Sequence, residues 1–405
     1  MKFSKLSQLF LVSTLGLLVA GLLTACQIVT IDYVFVADST GTSASSTGQI
    51  QIFAVDSESG ALRSGATTVS SGGVAPIAVA VTSDYANLYV ANQTSKNVVH
   101  FAINSDGSLT AKDTLTLSDT PVALKVNSAN TYIYVLTGTT SATLSEYALS
   151  SGAISTSAAA QKPLTLASYS GDTIVPTALT VSATGADVFA TVYDQSAYNP
   201  GGATTSSAHS GWVFGFVVGS GGALTATTNS PYQAGVKPSG IAAEPTNRFV
   251  YITDYASNQL IGYALGSTGT LSYLTDGPYK TGNEPTSIAV DPRGKYIYLT
   301  NGLDSDLSAY AITTATGSPS AIVNSNASIL YATETQPVSI AIDPALGRFI
   351  YTANHLGNTI SGFRLNADTG VLTTTQATPY TTGANPTALA MAPHGNNSLQ
   401  TVVTY

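Results

Sequence analysis

The sequence predicts a seven-bladed β-propeller, and three observations point to it. A proline-led apolar strand recurs along the chain: PIAVAV at Pro76, PVALKV at Pro121, PTALTV at Pro176, PSGIAA at Pro238, PTSIAV at Pro285, PVSIAI at Pro337 and PTALAM at Pro386. The six intervals span 310 residues, about 52 each, which is the spacing of one four-stranded blade. Between the anchors, Val, Ile, Tyr and Phe fill short runs, as strands prefer, and no helical period of useful length follows residue 26. The two ends of the chain also complement each other: the N-terminal part lacks a proline-led strand and the C-terminal part has one to spare.

Each repeat continues in the same order. A second strand follows the anchor: LYVAN (88–92), YIYVLT (132–137), DVFATV (187–192), FVYITD (249–254), YIYLTN (296–301) and FIYTAN (349–354). A third comes next: VVHFAI (98–103), LSEYAL (144–149), WVFGFVV (212–218), LIGYAL (260–265), LSAYAI (307–312) and TISGFRL (359–365). A tight hairpin into the fourth strand is marked by Gly60, Gly107, Gly152, Gly222, Gly269 and Gly370; the sixth repeat departs, with TATGSPSAI after Ile312. Asp291-Pro292 and Asp343-Pro344 read as turns from first to second strand, the aspartate capping and the proline presetting φ. The segment 32–40 (DYVFVADST) fits a second-strand slot and 386–393 fits the first strand before it, so the termini should complete one blade and remove the free sheet edges. The tail 399–405 competes for that same slot.

The first 25 residues read as an export leader. Lys2 and Lys5 precede an apolar run at 9–23, which is short for a membrane span, although an uncleaved anchor is the alternative. Leu23-Thr24-Ala25-Cys26 resembles the lipobox of bacterial lipoproteins. The resemblance implies lipidation at Cys26, a tether at 26–31, membrane attachment and, from Gln27, the outer membrane of a Gram-negative envelope. Cys26 is the one cysteine, so no internal disulfide forms. Without Lys2 and Lys5, 12 of the 14 basic residues remain against 22 acidic ones, a net charge of −10. No basic cluster is present, which excludes a nucleic-acid footprint. The propeller is expected over 32–405, as a monomer with no cofactor and no metal.

The strings YVAN, YITD, YLTN and YTAN, each following a proline-led strand, resemble the YVTN repeats of bacterial surface propellers. Over 30–405 the chain is similar to the lactonase-like family that includes 6-phosphogluconolactonase. The resemblance implies a propeller and, in enzymatic members, lactone hydrolysis. Those members share a blade-entry motif of the form GPRH. Here the anchors read PIA, PVA, PTA, PSG, PTS, PVS and PTA, so no catalytic residue transfers.

In an antiparallel meander, the loops from strand four to one and from two to three share one end of the ring. That end collects the candidate ligand-binding residues Tyr193, Asp194, Trp212, Lys237, Glu284, Asn301 and Asn354. It also holds the candidate catalytic groups His355, Asp254 and His209, because acid–base work needs a positioned imidazole or carboxylate. The long insertion at 193–212 reads either as a ligand-covering loop or as a Gly/Ser/Thr spacer. Tyr232, Tyr279, Tyr331 and Tyr380, each six residues before a proline, read as packing, and His100 as core. The NSDGSL turn (104–109) lacks the acidic twelfth residue of a calcium loop and reads as a hairpin. The function expected is a non-catalytic ligand- or protein-binding module of the envelope, taking an envelope protein, a carbohydrate or a lactone. The alternative is a lactone hydrolase with a rebuilt site.

Overall fold

The computed structural model describes residues 29–39, 46–166, 173–196, 210–324 and 326–395. Seven antiparallel sheets follow one another around a ring. Blade 1 is composite: Thr30–Asp38 pairs with Thr47–Asp56 on one side and with Pro386–Pro393 on the other. Residues 33–38 therefore hold the second-strand slot, and the strand begins at Thr30, inside the expected tether. Blade 2 runs Pro76–Val81, Asn87–Asn92, Asn97–Ile103, Leu109–Thr116, and blade 3 runs Pro121–Val126, Tyr132–Thr137, Ala142–Ser150, Ala153–Leu164. Blade 4 comprises Ile174–Val181, Asp187–Asp194, Gly211–Val218 and Leu224–Ala226. Blade 5 comprises Pro238–Ala243, Phe249–Asp254, Gln259–Leu265 and Leu271–Tyr273. Blade 6 is Pro285–Val290, Tyr296–Asn301, Asp306–Ile312 and Pro319–Ala321; blade 7 is Pro337–Ile342, Phe349–Asn354, Thr359–Leu365 and Leu372–Thr374.

Apolar cores lie between blades rather than within them. Tyr298 and Leu307 of blade 6 pack with Ile350 and Phe363 of blade 7, and Phe349 and Tyr351 of blade 7 pack with Val34 and Val36 of blade 1. This is why second strands such as FIYTAN are buried along their whole length, with no polar-out alternation. The central tyrosine of the second strand adds a directional link. Tyr89, Tyr251, Tyr298 and Tyr351 each donate their hydroxyl to a hairpin glycine carbonyl, of Gly152, Gly317, Gly370 and Gly60, at 2.6–2.7 Å. The last of these bonds joins blade 7 to blade 1 across the ring closure.

Blade 6 is not the departure its sequence suggests. Gly317 takes the same hairpin position with φ +78°, and a Cβ there would stand 2.3 Å from the Phe249 ring. Pro319 then occupies the place that leucine fills in blade 7, opposite Ile312 as Leu372 is opposite Leu365. The tyrosines before the anchors lie in short fifth strands, Tyr232–Gln233, Tyr279–Lys280, Leu330–Ala332 and Tyr380–Thr381, each paired to the third strand of its blade. Tyr232 and Tyr380 bond local threonines, Thr227 and Thr375, at 2.8 Å. They are packing elements, as their regular recurrence predicts. Asp343 caps its turn by accepting from the amides of Ala345, Leu346 and Arg348, and Asp291 does the same for Lys295 and Tyr296. His100 is buried on Tyr89, bridging Asp113 and Asn87 at 2.7 and 2.8 Å. The turn at 104–109 closes as a hairpin, with Asp106 accepting from the Ser108 amide.

Candidate functional site

The strand-two ends converge on one face of the ring, and their polar side chains turn inward. Asp254 is fully buried. Its Oδ2 accepts from the Val236 amide at 2.9 Å and from Gln259 Nε2 at 3.0 Å; its Oδ1 accepts from the amides of Lys237 at 2.9 Å and Ala256 at 3.2 Å. Asn301 donates through Nδ2 to Asp306 and Ser308, at 2.7 and 2.9 Å. Asn354 donates to Thr359 and Ser361, at 3.1 and 2.9 Å. Asp194 is buried and accepts from the Ser196 amide at 2.8 Å. The physical reason is common to all four. The chain reverses sharply after the second strand, and the side chain at its last position satisfies donors and acceptors of the segments wrapped around it.

His355 follows Asn354 and is half-buried; its Nδ1 lies 3.1 Å from the Pro386 carbonyl of the next inner strand. Elsewhere a hydroxyl makes the equivalent link: Ser239 to Pro285 at 2.5 Å, Thr286 to Pro337 at 2.7 Å, and Thr387 to Pro76 at 2.7 Å. Blade 7 has Val338 at that position, and His355 supplies the missing donor. His209 lies outside the described residues, as do Cys26 and most of the insertion. Trp212 is half-buried against the core between blades 3 and 4.

A different group faces outward. Lys237 Nζ stands 4.6 Å from the Tyr255 ring centre and 5.4 Å from that of Tyr193. Desolvation lowers its pKa, and the nearby Glu284 carboxylate opposes that shift. Glu284 sits at φ +54°, held by the Asn258 side chain, which accepts from its amide at 2.8 Å. All four residues are half-buried. Two aromatic faces, a cation and a carboxylate form a polar-aromatic platform on blades 4 to 6, suited to stacking on a flat or ring-shaped ligand. Tyr255 stands one residue past its second strand, as His355 does in blade 7, and only the folded chain brings the Lys237 ammonium over its ring.

The central channel is lined by the seven inner strands. It holds a cavity of about 220 Å³ toward this face and one of about 470 Å³ toward the other. Four residues after each anchor proline stand five alanines (Ala80, Ala242, Ala289, Ala341, Ala390), Thr180 and Lys125. Lys125 lines both cavities. It is open to the solvent of the lumen yet surrounded by protein, and desolvation lowers its pKa. Among the described residues, no group of three or more His, Cys, Asp or Glu side chains is arranged to hold a metal ion. Among them also, no helix is long and apolar enough to cross a membrane.

Comparison with known proteins agrees with this architecture. The periplasmic gluconolactonase of Pseudomonas aeruginosa superposes with a TM-score of 0.72 at 16% identity, covering 90% of this chain and 100% of its own. A candidate 6-phosphogluconolactonase of Bacteroides fragilis gives 0.68 at 18% identity, with 90% and 98% covered. The hydrazine synthase of Kuenenia stuttgartiensis gives 0.57 at 17% identity, with 80% and 93% covered. At such identities the likeness is one of fold, and the fold hosts unrelated chemistries. No curated protein sequence matches the chain. The sequence model of the family described as lactonase, 7-bladed beta-propeller, matches residues 5–113 and 104–399. The chain belongs to the lactonase seven-bladed β-propeller family.

Proposed function

We propose that this propeller is a lipid-anchored protein of the bacterial envelope that binds a ligand on its loop face without turning it over. The observation behind this reading is the engagement of the carboxylate candidate: Asp254 accepts four hydrogen bonds while fully buried. His355 donates through Nδ1 to the Pro386 carbonyl, which leaves Nε2 as the acceptor that the second reading below would use. A general base needs an accessible lone pair aimed at the substrate. The binding platform in this reading is Tyr193, Lys237, Tyr255 and Glu284, and a carbohydrate ring is the ligand class its two aromatic faces suit. Anchoring at Cys26 would hold that face outside the cytoplasm; Cys26→Ala should move the protein from the membrane to the soluble fraction.

Lactone hydrolysis is the second reading, favoured by the family and by the fold likeness to the Pseudomonas aeruginosa gluconolactonase. One experiment separates the two. Opening of glucono-lactone and 6-phosphogluconolactone is followed by pH-stat on the mature chain, with glycan binding measured on the same sample. Background rates with saturable glycan binding that is lost in Tyr255→Ala support the first reading. Turnover above background that disappears in His355→Ala, in a protein that stays folded, overturns it.

A further inference from the structure

We infer, resting on the lipid anchor of the proposed function, that one face of the ring docks against the lipid surface. It is the turn face, made by the strand-one-to-two turns and the strand-three-to-four hairpins, so the loop-face platform points away from the membrane. Thr30–Asp38 runs from one face of the ring to the other. It ends at the loop face, where Asp38 pairs with Pro386 and the Ser39 amide bonds the Asn385 carbonyl. It begins at the turn face. There Thr30 pairs with Asp56, the Val29 carbonyl accepts from the Ser57 amide at 2.9 Å, and Thr30 Oγ1 accepts from Arg63 at 3.1 Å. The chain is therefore fixed to the hairpin of blade 1 as far back as Val29. Three peptide units separate Val29 from Cys26, a reach of about 10–11 Å at full extension. Inverting the propeller would raise Thr30 by most of its nine-residue strand, about 26 Å above the headgroups, more than twice that reach. The ring can lean toward the outer edge of blade 1, two strand spacings of about 4.8 Å away, but it cannot turn over. Charge does not select this face: Arg248 and Arg364 are exposed there, but so are Glu58, Asp84, Asp106 and Asp368. Salt screens such groups beyond about 8 Å, so the short tether sets the orientation. Headgroups of the anchoring membrane then cannot reach Tyr193, Lys237 and Tyr255, and the platform's ligand comes from the space or surface opposite.

The test uses the full-length lipidated protein in phosphatidylethanolamine–phosphatidylglycerol vesicles that carry a lipid-bound energy acceptor. Lipidation occupies the Cys26 thiol, so an introduced cysteine is the one site for a donor dye. Asp368→Cys labels the turn face of blade 7, and Leu356→Cys, at a position 59% exposed, labels the loop face of the same blade. Thr359–Leu365 stands between them, seven residues or about 20 Å. Energy transfer to the membrane should be higher from position 368 than from 356, and equally so at low and high salt. That difference should be lost when about 30 Gly/Ser residues, spanning roughly 30 Å, are inserted between Gln27 and Ile28. Flotation of the vesicles reports anchoring separately. Wild type that floats no better than Cys26→Ala refutes the anchor, and the orientation falls with it. A protein that floats yet transfers equally from both positions, transfers more from 356, or keeps its difference on the long tether overturns the orientation alone.

Discussion

Asp254→Asn distinguishes a structural aspartate from a catalytic one, and its effect can be worked from the geometry. The carboxylate accepts two donors on each oxygen, all at 2.9–3.2 Å, in a side chain with no solvent exposure. Replacing one oxygen by an amide nitrogen sets two donors against a third. A hydrogen bond to a charged group contributes about 1.5–3 kcal/mol, and a buried donor left unpaired costs about 1–3 kcal/mol. If the nitrogen takes the Oδ2 position, the Val236 amide is stranded, while the half-buried Gln259 can turn to water. The net loss is then about 2–4 kcal/mol. Unfolding entropy of roughly 2.1 cal/mol/K per residue makes each kcal/mol worth about 1 °C for a chain of this size. Calorimetry should show the melting temperature falling by about 2–5 °C, and further in Asp254→Ala, where all four donors lose their acceptor. The platform sits on the Lys237 segment that Asp254 holds, so ligand affinity should fall with stability. A melting temperature within about 1 °C of wild type would refute the reasoning, because a carboxylate that can lose two acceptor contacts freely is not holding the turn.

Three further outcomes follow from the interior. Burial pushes Asp38 and Glu146 up to about 7 and Asp32 up to about 9. The folded chain then retains protons that the unfolded chain has released, so stability should fall as pH rises from about 5 to 8; Glu146→Gln should flatten that slope and raise the melting temperature at pH 8, and a protein more stable at pH 8 than at pH 5 would contradict the assignment. Tyr298→Phe removes the donor to the Gly370 carbonyl between blades and should cost about 1–2 kcal/mol by denaturant titration, the hydroxyl's absence leaving a buried carbonyl unpaired. Gly317→Ala combines a positive φ with a Cβ 2.3 Å from the Phe249 ring, and should destabilise by more than about 2 kcal/mol; a neutral substitution would show that the hairpin can swing away from its neighbour.

The propeller was legible because its signals are local and repeated. Pro-led strands, the YxY core of the second strand and the hairpin glycines each recur at one spacing, and repetition lets seven weak signals support one another. Even the apparent break at TATGSPSAI keeps the hairpin glycine, Gly317, and differs in having Pro319 where blade 7 has Leu372. The candidate site was far less legible, for the same reason. Asn301, Asn354 and Asp254 were singled out because they end strands on the right face, but occupying a repeated slot is itself a sign of structural work. Where every blade needs a polar side chain to satisfy its turn, that side chain is rarely left over for a ligand. The informative residues are the exceptions to the repeat. Ser239, Thr286 and Thr387 link their inner strands to the next through a hydroxyl; Val338, like Ile77 and Val122, has none, and in blade 7 His355, from a different loop, takes the Pro386 carbonyl. That substitution crosses between blades and no spacing in the chain encodes it. Lys125 is the other exception, and it was present in the sequence throughout: one lysine in a column of five alanines and a threonine. Only ring closure turns that column into one level of a lumen, where Lys125 lines both cavities.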